Sequence, residues 1–366
     1  MRYFPAFIIL IHGCIHCMGF AKAFGYGNIT AITKTISKTS GTLWILTALL
    51  FILAAILLVL KKQSWCYIAL SAAFVSQVLI IMVWKDAKYG TAANLLIVVT
   101  AVISLATRQF ELRYAKDVKA YIKNCGQFTP SILTEQDIEP LPEPVKKYLR
   151  YTHSVGQPKI KNFKVEFTGG IRKKGQQEYM PFKSEQYNFT DAATRLFFMN
   201  ATMMHLPVAG YHCYKSGSAY MDIRLFSLFR VQHQQGNKMD IAETVTFFND
   251  MCCMAPATLI DKRIEWLQVN KDSVEASFTV NANKIKATLV FNSEGQLVNF
   301  ISNDRYAQMD NGTMQQLTWS TPLKNYIEIN GYRLPSYAEA VYTYPDGSFV
   351  YGTFNLKGIT YNINPY

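Results

Sequence analysis

Glu243 and Asp250 lie seven residues apart in DIAETVTFFNDMCCM, two helical turns, so a helix there points both carboxylates to one side. Two carboxylates on one face are the raw material of general acid/base chemistry, one holding a proton while the other accepts one. Arg305, in VNFISNDRYA, is a cation that could pair with Asp250. Gln186, Tyr211 and His212 are polar groups set among apolar strand residues, and Phe247 on the helix adds a ring to any ligand wall. The structural alternative is plain for each. Glu243 can complete a cap begun by Asp240, and Asp250 can belong to a buried ion pair, an arrangement that commonly imitates a site.

His12 and His16 form a second candidate. At i, i+4 they share one face of an apolar helix, a good spacing for two metal ligands. Both point the same way, so they cannot be the two opposed axial ligands of one haem. Any metal or haem would need further ligands from another helix, where Gln77 and Asn94 are poor donors. The structural reading is a pair of neutral imidazoles bonded across helices to Ser76, Gln77 or backbone. No nucleophile elbow, phosphate loop, HExxH or nucleotide fingerprint occurs in the chain.

The elements that must position these residues divide sharply. Four apolar runs lie before Arg108: residues 5–24, 43–60, 65–84 and 92–106, each near the length that crosses about 30 Å of hydrocarbon. LWILTALLFILAAILLVL carries no charge and is followed at once by Lys61 and Lys62. Trp84, Asp86, Lys88 and Asn94 make a polar motif at one edge, readable as a gate or headgroup contact, or as an interfacial anchor. Residues 108–140 read as a connector. There FELRYAKDVKAYIKN continues as a polar helix, and Pro130, Pro140, Pro142 and Pro144 then break regular structure. In PEPVKKYLRYT, Val145, Tyr148 and Leu149 share one face of a short helix.

From Lys159 the period becomes alternating. KNFKVEFTGGIR, MPFKSEQYNF, TRLFFMNATMM, SAYMDIRLFSL, DSVEASFTVNA, IKATLVFNSEG, VNFISNDRYA, QQLTWST and SFVYGTFNLKGITYNI read as strands. Ser293-Glu294-Gly295, Asn330-Gly331 and Tyr344 to Gly347 are hairpin turns. One helix, ending at Pro256, is apolar nearly all round and is therefore buried across the concave side of the sheet, leaving an apolar pocket between the two. The expected fold is a four-span membrane helical bundle plus an α+β soluble domain at 141–366, mostly antiparallel β, a curved sheet or half-barrel with a buried helix.

Charge sharpens this division. Residues 1–107 hold eight Lys or Arg and one acid, whereas the remainder holds 29 basic and 24 acidic residues, so most of the net +12 is beside the apolar runs. That distribution fits anionic lipid headgroups and excludes a nucleic-acid footprint, since no basic stripe with stacking aromatics follows. Basic residues near the spans tie between the two sides, and Lys116, Lys119 and Lys123 tip the expectation toward cytoplasmic termini. Residues 2–23 also admit a signal-peptide reading through Ala21-Lys22-Ala23. The seven cysteines show no disulfide or zinc spacing, which suits a reducing compartment.

Ile11-His12-Gly13 with Ile15-His16, Gly19 to Phe24 and Trp84 to Thr91 resemble the membrane half of an uncharacterised bacterial membrane-protein family. Leu141-Pro142, Pro144-Val145, Tyr148 to Tyr151, Phe182 with Glu185 to Tyr187, Glu243 to Asp250, Ala255 to Asp261 and Gly331 to Pro335 resemble its soluble half. The resemblance covers nearly the whole chain. It implies four N-terminal transmembrane helices, a C-terminal β-rich domain and a multi-pass protein of a bacterial inner membrane. It implies no catalytic residue and no cofactor. Cys14 and Cys17 stand where the family pattern is mostly aliphatic.

Three functions follow as expectations. The first is binding of a lipid or other apolar small molecule by the β-rich domain beside the bilayer, with no nucleic-acid partner. The second is an enzyme with an acid/base site around Glu243, Asp250 and Arg305. The third is an intramembrane metal or haem protein through His12 and His16.

Overall fold

The computed structural model describes residues 2–309 and 312–365 and divides into two units, residues 1–111 and 112–366. In the first unit, α1 (Tyr3–Phe24), α2 (Lys38–Val59), α3 (Trp65–Met82), the short α4 (Trp84–Ala87) and the start of α5 (Gly90–Cys125) follow one another. Four of these helices are long and apolar enough to cross a membrane. Small residues let them approach closely. A side chain on Gly19 would drive into the Trp44 ring, its Cβ falling 2.1 Å from a ring carbon, and Ala54, Ala69, Ala72 and Ala101 are fully buried.

The helix that holds the fourth apolar run does not end with it. It continues unbroken to Cys125, and the unit boundary falls inside the helix. Residues 112–125, part of the expected connector, carry Tyr114, Val118 and Tyr121 on one side, with Tyr114 and Val118 buried. That stripe lies against the sheet of the second unit, which explains why the polar helix persists beyond the apolar run.

In the second unit, α6 (Glu135–Ile138) and α7 (Glu143–Tyr151) lead into six strands: β1 (Asn162–Ile171), β2 (Met180–Phe189), β3 (Thr194–Met203), β4 (Leu206–Lys215), β5 (Ser218–Leu225) and β6 (Phe229–Gln235). Then come α8 (Asn237–Met254) and a 3-10 turn, Pro256–Ile260. Seven more strands follow: β7 (Ile264–Val269), β8 (Ser273–Val280), β9 (Asn283–Phe291), β10 (Leu297–Gln308), β11 (Met314–Ile329), β12 (Tyr332–Tyr344) and β13 (Gly347–Tyr361). They form one antiparallel sheet in the order β6-β5-β4-β3-β2-β1-β13-β12-β11-β10-β9-β8-β7. Each half is a meander, and pairing of the first strand with the last joins them. At that seam Gly169 is required, because a Cβ there would lie 1.8 Å from the Thr353 carbonyl oxygen.

The sheet curls round α8 as a half-barrel. Its distant turns meet: Asn281 Nδ2 donates to the Ser216 carbonyl (2.6 Å) and Asn283 Nδ2 to the Gly217 carbonyl (2.7 Å). Phe247 and Phe248 of α8 pack on Phe278, and Phe248 also meets Phe300; all four are fully buried. These four rings occupy part of the space beneath the helix, where an apolar pocket is expected. Val145, Tyr148 and Leu149 of α7 are fully buried as their spacing predicts, and the Tyr148 hydroxyl donates to the Cys252 carbonyl (2.8 Å). The start of α8 differs from expectation. The helix begins at Asn237 after Gly236 (φ 95°), with no side-chain cap, and Asp240 instead accepts from the Ala219 amide (2.6 Å).

Candidate functional site

Facing residues of antiparallel strands share a side of the sheet, so the register of β2 to β5 sets out the α8 side in four rows. One row is Asn188, Arg195, Tyr214 and Ala219; the next is Gln186, Phe197, His212 and Met221. Then come Ser184, Met199, Gly210 and Ile223, and finally Phe182, Ala201, Val208 and Leu225. The first row meets α8, where the Tyr214 and Thr244 hydroxyls bond at 2.9 Å. Phe182, Met199, Ala201, Val208, Ile223 and Leu225 of the last two rows join Phe197 in a second apolar cluster that holds no α8 residue and adjoins the main core through Phe167, Ile223 and Phe354. Around it Ile171, Met180, Ile223, Leu225 and Phe354 are only partly buried. Part-exposed apolar side chains therefore border this cluster.

Where the polar rows meet α8, Arg195 is the hub. Its Nε donates to Asp250 Oδ2 (2.8 Å), one Nη to Glu243 Oε2 (3.1 Å) and the other to Gln186 Oε1 (2.9 Å). Asp250 Oδ2 also accepts from Gln186 (2.7 Å) and Asn188 (3.2 Å). Glu243 Oε1 lies 3.8 Å from both His212 Nδ1 and Arg305. Arg305 donates to the Ala242 carbonyl and the Thr246 hydroxyl of α8 and lies over the Trp319 ring at 4.9 Å. Two arginines thus face two carboxylates in a nearly dry setting, where an unpaired charge would be expensive.

Burial alone would lift Glu243, but Arg195, His212 and Arg305 outweigh it and hold the carboxyl at about 2. For Asp250 burial wins over Arg195 and the two amides, and the carboxyl sits above its ordinary value. Two buried polar atoms beside this network, Ser184 Oγ and Arg305 Nε, have no hydrogen-bond partner among the described residues. Ser184 lies in the Met199 row, at the border between network and apolar cluster.

The structure thus brings together Gln186, His212, Glu243, Asp250 and Arg305, but with different pairings from those expected. Asp250 pairs with Arg195 and not with Arg305, and Glu243 is an ion-pair partner with no cap to serve. Tyr211 and Phe247 lie elsewhere. Strand alternation turns Tyr211 to the opposite face, where its hydroxyl donates to Asp117 Oδ2 (2.7 Å). Phe247 points into the core against Tyr214 and Phe278.

In the first unit His12 and His16 do share a face, their rings 4.8 Å apart. His16 Nδ1 bonds the His12 carbonyl (2.8 Å), which fixes that nitrogen as the donor, so its Nε2 accepts from Ser76 (2.9 Å). His12 Nε2 donates to Asn94 Oδ1 (2.9 Å), and Asn94 passes the chain to Gln77 (3.1 Å). No group of three His, Cys, Asp or Glu able to hold a metal occurs among the described residues. Asp86 accepts from the Thr33 amide (2.8 Å) and hydroxyl (3.0 Å), clamping the loop before α2. Trp84 is about half exposed, and Lys88 lies over the Tyr89 ring at 5.2 Å.

The model of a family of unknown function, DUF6544, matches residues 131–354, more than half of the chain. The chain belongs to the DUF6544 family. No curated protein matches it. Among solved structures, that of a DUF1329 family protein from Desulfovibrio piger ATCC 29098 is similar at 10% identity and a TM-score of 0.36, covering 60% of this chain and 92% of that one.

The hub of this DUF6544 protein's network, Arg195, escapes motif reading, as do Asn188 and Ser184. The signal lies in parity. Arg195 occupies the same side of its strand as Phe197 and Met199, and a charge on the inward side of an apolar strand demands a buried partner.

Proposed function

We propose that this DUF6544 protein is anchored in a membrane by its four apolar helices and binds an apolar or lipid-like ligand with its β-rich unit. The basic residues Lys116, Lys119 and Lys123 favour the cytoplasmic side for that unit, and the charge pattern suits a bacterial inner membrane. One observation carries the ligand reading. The apolar residues of the last two rows of β2 to β5 form a second cluster beside the main core, bordered by part-exposed apolar side chains and, at Ser184, by a polar atom with unused hydrogen-bonding capacity. Apolar surface with a few convergent polar groups is the usual make-up of a small-molecule site. The apolar body of a ligand would lie on Met199, Val208 and Ile223, and its polar end would reach Ser184, His212 and Arg305.

Mass spectrometry of lipid extracted from the purified full chain tests this. A defined lipid should co-purify with the wild type and be depleted from a variant with Ile223→Trp and Val208→Trp, which fill the rows. Equal recovery from both would count against the site.

A second reading, an acid/base enzyme at the same cluster, draws on the opposite displacement of the two carboxyls, Glu243 downward and Asp250 upward. It requires substrate to displace an arginine from one of them. Asp250→Asn should then abolish turnover while leaving lipid recovery intact, and loss of both together would count against it.

A further inference from the structure

The end of the half-barrel next to the apolar rows carries a feature that ligand binding does not use. The β3–β4 and β5–β6 hairpins end in apolar tips, and the Phe226 amide donates to the Pro207 carbonyl (2.9 Å), tying the tips together. Met204 is 86% exposed, Phe229 64% and Val231 54%. Both turns hold paired residues in the left-handed region, Met204 with His205 (φ 49° and 66°) and Phe226 with Ser227 (φ 54° and 56°). Such turns ordinarily take Asn, Asp or Gly, so apolar side chains stand there at a conformational cost.

Arginines border the tips on the face opposite α8. Asp222, fully buried, is shared by Arg113 (3.5 Å), Arg224 (2.8 Å) and Arg230 (3.2 Å), three cations about one carboxylate. Arg113 and Arg230 keep about half of their side chains in solvent. Within this unit, residues 112–125 run away from the tips. Arg113 meets Asp222, Asp117 meets Tyr211, the cross-strand partner of Asp222, and also Lys215 further along the strands, and Tyr121 packs on Phe189 at that far end. The tips and arginines therefore lie at the end of this unit where its first residues, 112 and 113, are placed.

We propose that the β3–β4 and β5–β6 tips form a bilayer-docking surface, with Met204 and Phe229 entering the headgroup layer and Arg113 and Arg230 binding anionic lipid phosphates. Exposed apolar residues flanked by cations are what a charged lipid surface selects, and each arginine near such a surface adds appreciably to binding. Docking there would present the Leu225 and Val208 row to the lipid phase. The inference rests on the proposal that the chain is anchored in a bilayer. Retention of the chain in lipid discs after an alkaline carbonate wash reads out that anchoring separately.

The test is hydrogen–deuterium exchange of residues 203–206 and 226–231 in the full chain, in nanodiscs of phosphatidylcholine with or without phosphatidylglycerol. Phosphatidylglycerol should slow exchange roughly thirtyfold, the order that two arginines supply at an anionic leaflet. High salt should reverse the effect. Arg230→Gln should return most of it, and so should Met204→Asp with Phe229→Asp, exposed changes that leave exchange in α8 as in the wild type. Equal exchange in both lipids, with the chain retained after the wash, overturns the proposal. Protection that rises with protein concentration assigns the tips to a second copy and overturns it as well.

Discussion

Replacing Arg195 by methionine should expose how far the buried network depends on its hub. Methionine keeps most of the side-chain length but removes the three donors that reach Asp250, Glu243 and Gln186 at 2.8, 3.1 and 2.9 Å. Two buried carboxylates then share one remaining arginine, Arg305, at 3.8 Å from Glu243. Breaking one side of a buried ion pair costs about 3–5 kcal/mol. For a unit of this size each kcal/mol moves the midpoint by about 2–4 °C, so Tm should fall by about 6–20 °C. The pH dependence should also steepen. In the wild type Glu243 is held at about 2, below its unfolded value of about 4.3, so its stabilisation is present above pH 4.3 and lost only as pH falls toward 2. Without Arg195, burial lifts Glu243 above its unfolded value as well and raises Asp250 further. A raised carboxyl destabilises at neutral pH and gives that stability back as pH falls. Thermal unfolding of the detergent-purified chain, followed by tryptophan fluorescence from about pH 8 to 5, should therefore show the variant gaining more Tm on acidification than the wild type, in which Asp250 alone of the pair is raised. A variant within about 2 °C of the wild type, or one with the same pH profile, would refute the assignment of Arg195 as the hub.

Other consequences follow from the same geometry. Glu243→Gln should remove the part of the acid-induced unfolding that falls between about pH 4.3 and 2, seen as a flatter fluorescence midpoint against pH. Ser76→Ala deprives His16 Nε2 of its 2.9 Å partner inside the helical unit and should lower that unit's stability by about 1–3 kcal/mol, read in thermal melts of purified protein. At the seam, Gly169→Ala sets a methyl 1.8 Å from the Thr353 carbonyl and 2.9 Å from the Phe182 ring. It should cost at least about 1–3 kcal/mol and raise hydrogen exchange in β1 and β13 above that in β8 and β9.

Much of this architecture is legible in the residues, for reasons that differ along the chain. The four apolar runs declare themselves because each is apolar over the length that could cross a membrane. The strands with strict alternation, such as DSVEASFTVNA, are legible because one side is buried. LPVAGYHCYK, which becomes β4, is less so, because both its faces are covered, by the α8 side and by residues 112–125. β6 escapes for the opposite reason, as FRVQHQQ is an exposed edge with little to bury. The conjunction of Gln186, His212, Glu243, Asp250 and Arg305 follows from looking for polar residues among apolar neighbours. Their pairing does not, because it depends on which strand faces α8. Tyr211 shows the limit of the approach, since a shift of one residue along a strand exchanges the two faces.

The central claim, an apolar ligand on the α8 side of β2 to β5, is tested most directly by light-activated cross-linking. The full chain would be placed in nanodiscs containing a lipid with a diazirine in its acyl chain, irradiated, digested and mapped by mass spectrometry. Adducts on peptides spanning 197–210 and 221–225, suppressed by Ile223→Trp with Val208→Trp, are the predicted result. Adducts confined to residues 3–108, with the strands unlabelled, would contradict it.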